Sequence, residues 1–284
     1  MAAHANQIDA LPGQRISYLI APREHGAWGL LFVPLVTGGA VGLLAGGDVA
    51  PLIAFTVAAL GLFWIRTPLE SWLGNGLFHA RTHRERWTVG ITILMIATIS
   101  FSALAFIFRH GQNRELLPLG AIAIVAFVAQ AILRKLGRQT RMLSQVVGTL
   151  GLTVSAPAAY CLTGGLDRRA WALWIVNFLF AGNQIHFVQL RIHSARIAGW
   201  KDRIDRGSWF LFGEVLLAAG LLLAWRFTLL PGLVALAFLP LLTRGAVWIF
   251  EGQKPLLVRR LGWTELAHSG VFGICLVAGF HLGW

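Results

Sequence analysis

Residues 21–47 read APREHGAWGLLFVPLVTGGAVGLLAGG: three consecutive polar side chains, Arg23, Glu24 and His25, then more than twenty residues without a charge. A helix of about 20 apolar residues spans the hydrocarbon core of a bilayer. The rest of the chain has the same character. Of its 284 residues 56% are hydrophobic and only 13% charged, and a mean hydropathy of +0.67 lies outside the range of soluble domains. The reading is an all-α, polytopic membrane helical bundle.

Outward from this first run, further apolar stretches lie near residues 50–65, 88–108, 117–133, 143–163, 170–190, 208–225, 229–249 and 264–284, so about nine transmembrane helices are expected. Pro34, Gly38, Gly39, Gly148, Gly151 and Pro157 interrupt the runs; membrane helices use small residues for close packing. All but five of the 24 Lys and Arg residues fall in the N-terminal tail or after runs two, four, six and eight, the five being Arg109, Arg114, Arg168, Arg169 and Arg226. Basic residues of short loops stay on the cytoplasmic side. The N-terminus is therefore expected in the cytoplasm and the C-terminus outside, in a cytoplasmic (inner) membrane, with residues 1–20 a short cytoplasmic tail and 21–284 a single transmembrane domain.

The net charge of +12 then reflects topology and contact with anionic membrane lipids, not nucleic acid. Cys161 and Cys275 lie in separate apolar runs without a Cys/His cluster, so no metal site is read from them.

Four polar groups face the expected cytoplasmic side, at a depth where they are expected to line one shared cavity. In the first, Pro22 and Glu24 suit the first turn of a helix. Arg23, Glu24 and His25 point about 100° apart around that helix, so at least one faces protein. In the second, Arg66 to Trp87, Glu70 follows a nearly uncharged run and Asn75 and His79 lie one turn apart. Ionisable groups there face a cavity or a partner, and a salt bridge from Glu70 to Arg66 is the alternative role. In the third, Arg134 and Arg138, with Lys135 between them, offer a basic face to an anion. In the fourth, Asn183, His186, Gln189, Leu190 and His193 recur at spacings of three and four, as one inward stripe ending run six; packing of the amides between helices is the alternative. Glu214, Glu251 and Glu265 are lone acids, of which Glu214, inside a run, needs a basic or protonating partner.

The string PREHGAWGLLFVP resembles the opening of the YwiC-like membrane proteins, a bacterial family. A more distant resemblance is to the UbiA superfamily of intramembrane prenyltransferases, nine helices around a cavity. LRKLGRQTRMLSQVVGTLGLTVSAPAAYCLTGG and NQIHFVQLR are similar to its haem-farnesylating branch, which by likeness makes candidates of Arg134, Lys135, Asn183, His186, Phe187 and Leu190. That superfamily carries two Asp-rich motifs that bind magnesium, and through it the substrate diphosphate. Here Glu70, Asn75 and His79 stand where the first belongs, and Asp202 and Asp205 stand near the second. Magnesium needs one or two carboxylates besides substrate phosphates; without it, Arg66, Arg81, Arg134 or Arg191 would hold a diphosphate directly.

Two function classes follow. As a prenyltransferase-like enzyme acting on an isoprenoid diphosphate, the protein would use Glu70 and His186 in catalysis. Substrate would be held by Arg23, Glu24, His25, Arg66, Asn75, His79, Arg134, Lys135, Asn183, Gln189 and Arg191. As a non-catalytic binding or assembly protein, it would hold a haem, quinone or isoprenoid for a membrane respiratory complex, with haem ligands drawn from His25, His79, His186 and His193. Transport is disfavoured, since no internal repeat is present and the polar groups gather at one face.

Overall fold

The computed structural model describes residues 12–21, 25–74, 78–109, 114–195, 197, 199–250 and 257–283. Arg23, Glu24, Asn75 and Glu251 fall outside these residues, as do the side chains of His25 and Arg138. Among the described residues there are helices and no strand: α1 (Pro12–Ile20), α2 (His25–Leu44), α3 (Val49–Trp64), α4 (Arg66–Trp72), α5 (His83–Arg109), α6 (Leu116–Lys135), α7 (Arg141–Thr153), α8 (Ser155–Gly164), α9 (Arg168–His193), α10 (Trp200–Arg226), α11 (Gly232–Leu236), α12 (Leu239–Phe250) and α13 (Val258–Gly283). They form two compact units, one of α1 and α3–α5, the other of α2 and α6–α13.

Among the described residues seven helical stretches are long and apolar enough to cross a membrane: Val49–Trp72, His83–Arg109, Leu116–Lys135, Arg141–Gly164, Trp200–Arg226, Gly232–Phe250 and Arg259–Gly283. The protein is thus a multi-pass integral membrane protein. The two other expected spans fall short for different reasons. In α2 the apolar segment, Trp28–Leu44, is shorter; α9 is long enough, but Asn177, Asn183, Gln184, His186 and Gln189 dilute its hydropathy. The outer faces are apolar, as lipid contact requires, with Ile53, Leu94, Phe101 and Val125 all exposed.

In the first unit a capping box begins α5. The Thr82 hydroxyl accepts from the Glu85 N–H at 3.2 Å, and Glu85 Oε2 accepts from the N–H groups of Arg81 and Thr82 at 2.8 and 3.2 Å. The other carboxylate oxygen pairs with Arg15 Nε at 2.6 Å, which ties α1 to α5. Leu19 of α1 is buried with Ala80 and Val89, and Trp64 Nε1 donates to the Ile20 carbonyl at 2.9 Å. One carboxylate thus starts a helix and anchors another. Glu85→Ala is expected to cost about 1–2 kcal/mol and to speed amide exchange throughout α1, whereas Glu85→Gln keeps the acceptor of the box and has a smaller effect. Unchanged exchange in α1 with Glu85→Ala would dismiss this role.

The second unit is built around α8, whose residues from Ser155 to Leu162 are all buried. Pro157 lacks the N–H that would bond the Thr153 carbonyl, and the helix is interrupted there between α7 and α8. Close approach explains several glycines: a Cβ on Gly38 would meet the Ala156 carbonyl carbon at 2.7 Å, one on Gly151 the Ala126 Cβ at 2.8 Å, and one on Gly148 the Gln130 amide. Gly165, at φ +79°, ends α8 in the left-handed region. Asp167 then caps α9 by accepting from the Ala170 N–H at 3.0 Å. Phe180 of α9 stacks on Phe272 of α13 at 3.8 Å between ring centroids, and Phe238 meets the same ring edge-on at 5.3 Å. This aromatic core fixes α9 against α13, whose other residues build the site described next.

Candidate functional site

In the second unit a polar chain crosses four helices. Glu214 of α10 accepts from Asn183 Nδ2 of α9 at 2.8 Å; Asn183 Oδ1 accepts from Arg244 Nη2 of α12 at 2.8 Å; and Arg244 Nη1 pairs with Glu265 Oε2 of α13. Both ends of the Asn183 amide are used, and its two partners set its orientation. Glu214, Arg244 and Glu265 are only 8%, 8% and 6% exposed. The Arg244 guanidinium also lies over the Phe187 ring, 4.4 Å from its centroid, a cation–π contact strengthened by desolvation. Gln184, one residue on from Asn183, donates to the Glu265 carbonyl and to Ser269 Oγ, both at 3.1 Å.

The chain borders a cavity of about 440 Å³. Its walls are apolar along Phe187, Pro240, Val247, Trp248, Leu257 and Leu261, and its polar lining is Arg191, Thr243, Arg244, Arg260, Thr264, Glu265 and His268. Thr243 and Thr264 spend their hydroxyl protons on carbonyls of their own helices, so the charged groups dominate: three guanidiniums, one carboxylate and one imidazole. The cavity lies along α12, beside the last turns of α9 and the first turns of α13.

Buried polar atoms are nearly always paired. Among the described residues Arg244 Nε, Glu265 Oε1 and His268 Nδ1 are buried and have no hydrogen-bond partner. All three belong to side chains that line the cavity. An apolar pocket lined also by a few charged side chains suits a ligand with a hydrophobic body and a polar head. Among the described lining residues guanidiniums outnumber carboxylates, an arrangement that suits an anion.

The residues expected from the sequence to share one site are described unit by unit. In the first unit Glu70 accepts from Arg66 Nε at 2.9 Å, the one-turn ion pair, and His79 Nε2 accepts from Arg81 Nε at 3.3 Å. In the second unit Arg134 and Lys135 are exposed on the last turn of α6. The expected stripe on α9 separates: Asn183 joins the Arg244 chain, His186 is half-buried with its ring edge-on to Phe210, and Gln189 bonds Gln145 of α7. Asn183 and His186, about 60° apart around the helix, both face α10, whereas Gln189, about 120° from Asn183, turns to α7. His193 Nδ1 is bonded to the Gln189 carbonyl at 2.8 Å. Asp202 and Asp205 are exposed on the first turns of α10. Of the expected residues, Arg191 and Phe187 line the cavity and Asn183 holds its central guanidinium.

Three residues depart from their expected roles. Arg244, counted from the sequence as a loop charge, lies buried within α12, and Arg203, counted likewise, is buried and donates to the Trp248 carbonyl at 2.9 Å. Glu265, a lone acid in the sequence, is the ion-pair partner of Arg244. Among the described residues no group of three or more His, Cys, Asp or Glu side chains stands close enough together to hold a metal ion.

The model of the family described as YwiC-like protein matches residues 21–160, from the start of α2 into α8. No curated protein and no solved structure matches the chain. The cavity is built from residues beyond the matched segment.

Proposed function

We propose that this membrane protein, YwiC-like over residues 21–160, binds an amphiphile with a phosphate-bearing head in the cavity between α9, α12 and α13. The ligand class that fits is an isoprenoid diphosphate. One observation carries the reading: among the described residues Arg191, Arg244 and Arg260 line a largely apolar cavity together with one carboxylate, Glu265. Arginine forks match phosphate oxygens two at a time, and the apolar walls receive the hydrocarbon. The likeness of NQIHFVQLR to intramembrane prenyltransferases supports the isoprenoid part of the proposal.

In a transferase of that kind the guanidiniums take the place of magnesium. They stabilise the negative charge that gathers on the diphosphate as it leaves. Arg244 is oriented for this by Asn183 and by the Phe187 ring. The cavity wall includes neither Glu70 nor His186, and the proposed binding residues are therefore Arg191, Arg244 and Arg260.

The same reading counts α2 and α9 as spans, making nine, with a cytoplasmic N-terminus. Basic residues concentrate on that side, and on a nine-span count the ends of α9 and α12 and the start of α13 open there together. The cavity would then face the cytoplasm, where soluble diphosphates are found.

Native mass spectrometry of the detergent-solubilised chain with geranylgeranyl diphosphate tests the reading. A bound lipid diphosphate, weakened about tenfold or more by the Arg191→Ala/Arg260→Ala double variant and unaffected by a magnesium chelator, is the expected result. A haem or quinone that co-purifies while no diphosphate binds would instead favour a cofactor-holding protein.

A further inference from the structure

Resting on the reading of the cavity just given, we infer that Glu265 is a resident competitor that sets the charge a ligand must carry. The cavity admits an amphiphile whose phosphate head carries at least two negative charges and turns away one with a single carboxylate.

Arg244 is more than nine-tenths buried, and a guanidinium at that depth needs an anion beside it. Glu265 supplies one through Oε2. Both side chains line the cavity, so the ion pair occupies the position an incoming anionic head would take. The pair is incomplete. Arg244 Nε and Glu265 Oε1 are both buried and without a hydrogen-bond partner among the described residues; with Nη1 on Glu265 and Nη2 on Asn183, Nε is the donor of this guanidinium left for a second anion.

A ligand that takes over Arg244 must leave Glu265 with somewhere to go. The adjacent station is His268, three residues further along α13 and on the same face. Its Nδ1 is buried and without a partner among the described residues, and its side chain also lines the cavity. With the proton on Nδ1, a neutral imidazole can donate to the displaced carboxylate. The other charged groups near the exchange are Glu214, held by Asn183, and the cavity-lining Arg191 and Arg260.

The exchange discriminates by charge. A fatty acid brings to Arg244 only what Glu265 already supplies, and it forces a buried carboxylate from a cation to a neutral ring. A phosphate dianion has oxygens to spare for Arg191 and Arg260 as well. Only a ligand that recruits those further guanidiniums gains more than it displaces. Glu265 is thus a specificity-determining residue of the binding site.

Native mass spectrometry of the full chain with geranylgeranyl diphosphate and, in parallel, palmitate tests this. The unaltered chain is expected to bind the diphosphate and to bind palmitate at least about tenfold more weakly. Glu265→Gln is expected to bind palmitate about tenfold or more tighter than the unaltered chain, and the diphosphate tighter too. Glu265→Asp, which keeps the charge but is one methylene shorter, serves if Glu265→Gln does not fold, and is expected to shift palmitate in the same direction. Diphosphate binding with palmitate affinity unchanged in these variants overturns the competitor role and leaves the cavity reading standing. Binding of neither ligand by the unaltered chain overturns the cavity reading itself.

Discussion

Arg244→Met is expected to destabilise the protein by about 3–5 kcal/mol, because it strands the Glu265 carboxylate in a buried site without a cation. The Asn183 Oδ1 acceptor loses its donor at the same time. The effect should lie mostly in the stranded charge. The double variant Arg244→Met/Glu265→Leu, which replaces the ion pair by two apolar side chains, is accordingly expected to recover most of the lost stability. It should nevertheless bind no diphosphate. Thermal unfolding in one detergent, compared across the three proteins, checks the energetic part, and the binding assay on the stable double variant isolates the functional part. An Arg244→Met protein as stable as the unaltered chain would show that the α9–α12–α13 chain contributes nothing to the fold.

The second large effect is expected far from any charge. Gly38 of α2 packs so closely on α8 that a Cβ would meet the Ala156 carbonyl carbon at 2.7 Å and its Cα at 2.8 Å. These are backbone atoms in a fully buried segment, and they cannot turn aside as the end of a flexible side chain would. Gly38→Ala is therefore expected to cost about 1–3 kcal/mol through overpacking, and a larger residue more. Gly29, on the same helix, has nothing within 4 Å of the position a Cβ would take. Gly29→Ala is expected to be neutral or to stabilise by up to about 1 kcal/mol through helix propensity. The yield of monodisperse protein and its unfolding temperature, measured for both, separate packing from a general intolerance of change in α2.

Much of the fold was legible in the sequence because hydropathy is a local property. Each of the nine apolar runs coincides with a helix or a pair of helices, and Gly38, Gly148 and Gly151 pack closely, as a membrane bundle requires. The short helix α1 was not anticipated within the tail, although Leu19 and Ile20 form the start of an apolar face. The role of Glu85 has a sequence signal as well: Thr82 followed three residues later by Glu85 is the pattern of a capping box.

The site was legible only in part. Glu70 with Arg66 is a pair one turn apart on one helix, and such a pair can be read directly from spacing. The chain from Glu214 through Asn183 and Arg244 to Glu265 joins four helices, and no local spacing announces it. Arg244 looked like a loop charge because it stands close to the end of an apolar run; α12 in fact continues to Phe250 and takes the guanidinium inside. One signal was available. Glu214 lies within an apolar helix and needs a polar or charged partner there, and Asn183, with Arg244 behind it, meets that need.

The central claim is that the ligand binds between α9, α12 and α13, with its head at Arg244. It is tested most directly by photo-crosslinking with an isoprenoid diphosphate that carries a diazirine in its hydrocarbon tail, followed by peptide mapping. Labels on Phe187, on Val247 or Trp248 and on Leu257 or Leu261, all competed away by unlabelled diphosphate, are the predicted result. Competable labelling confined to α3–α5, with none on α9, α12 or α13, would contradict it.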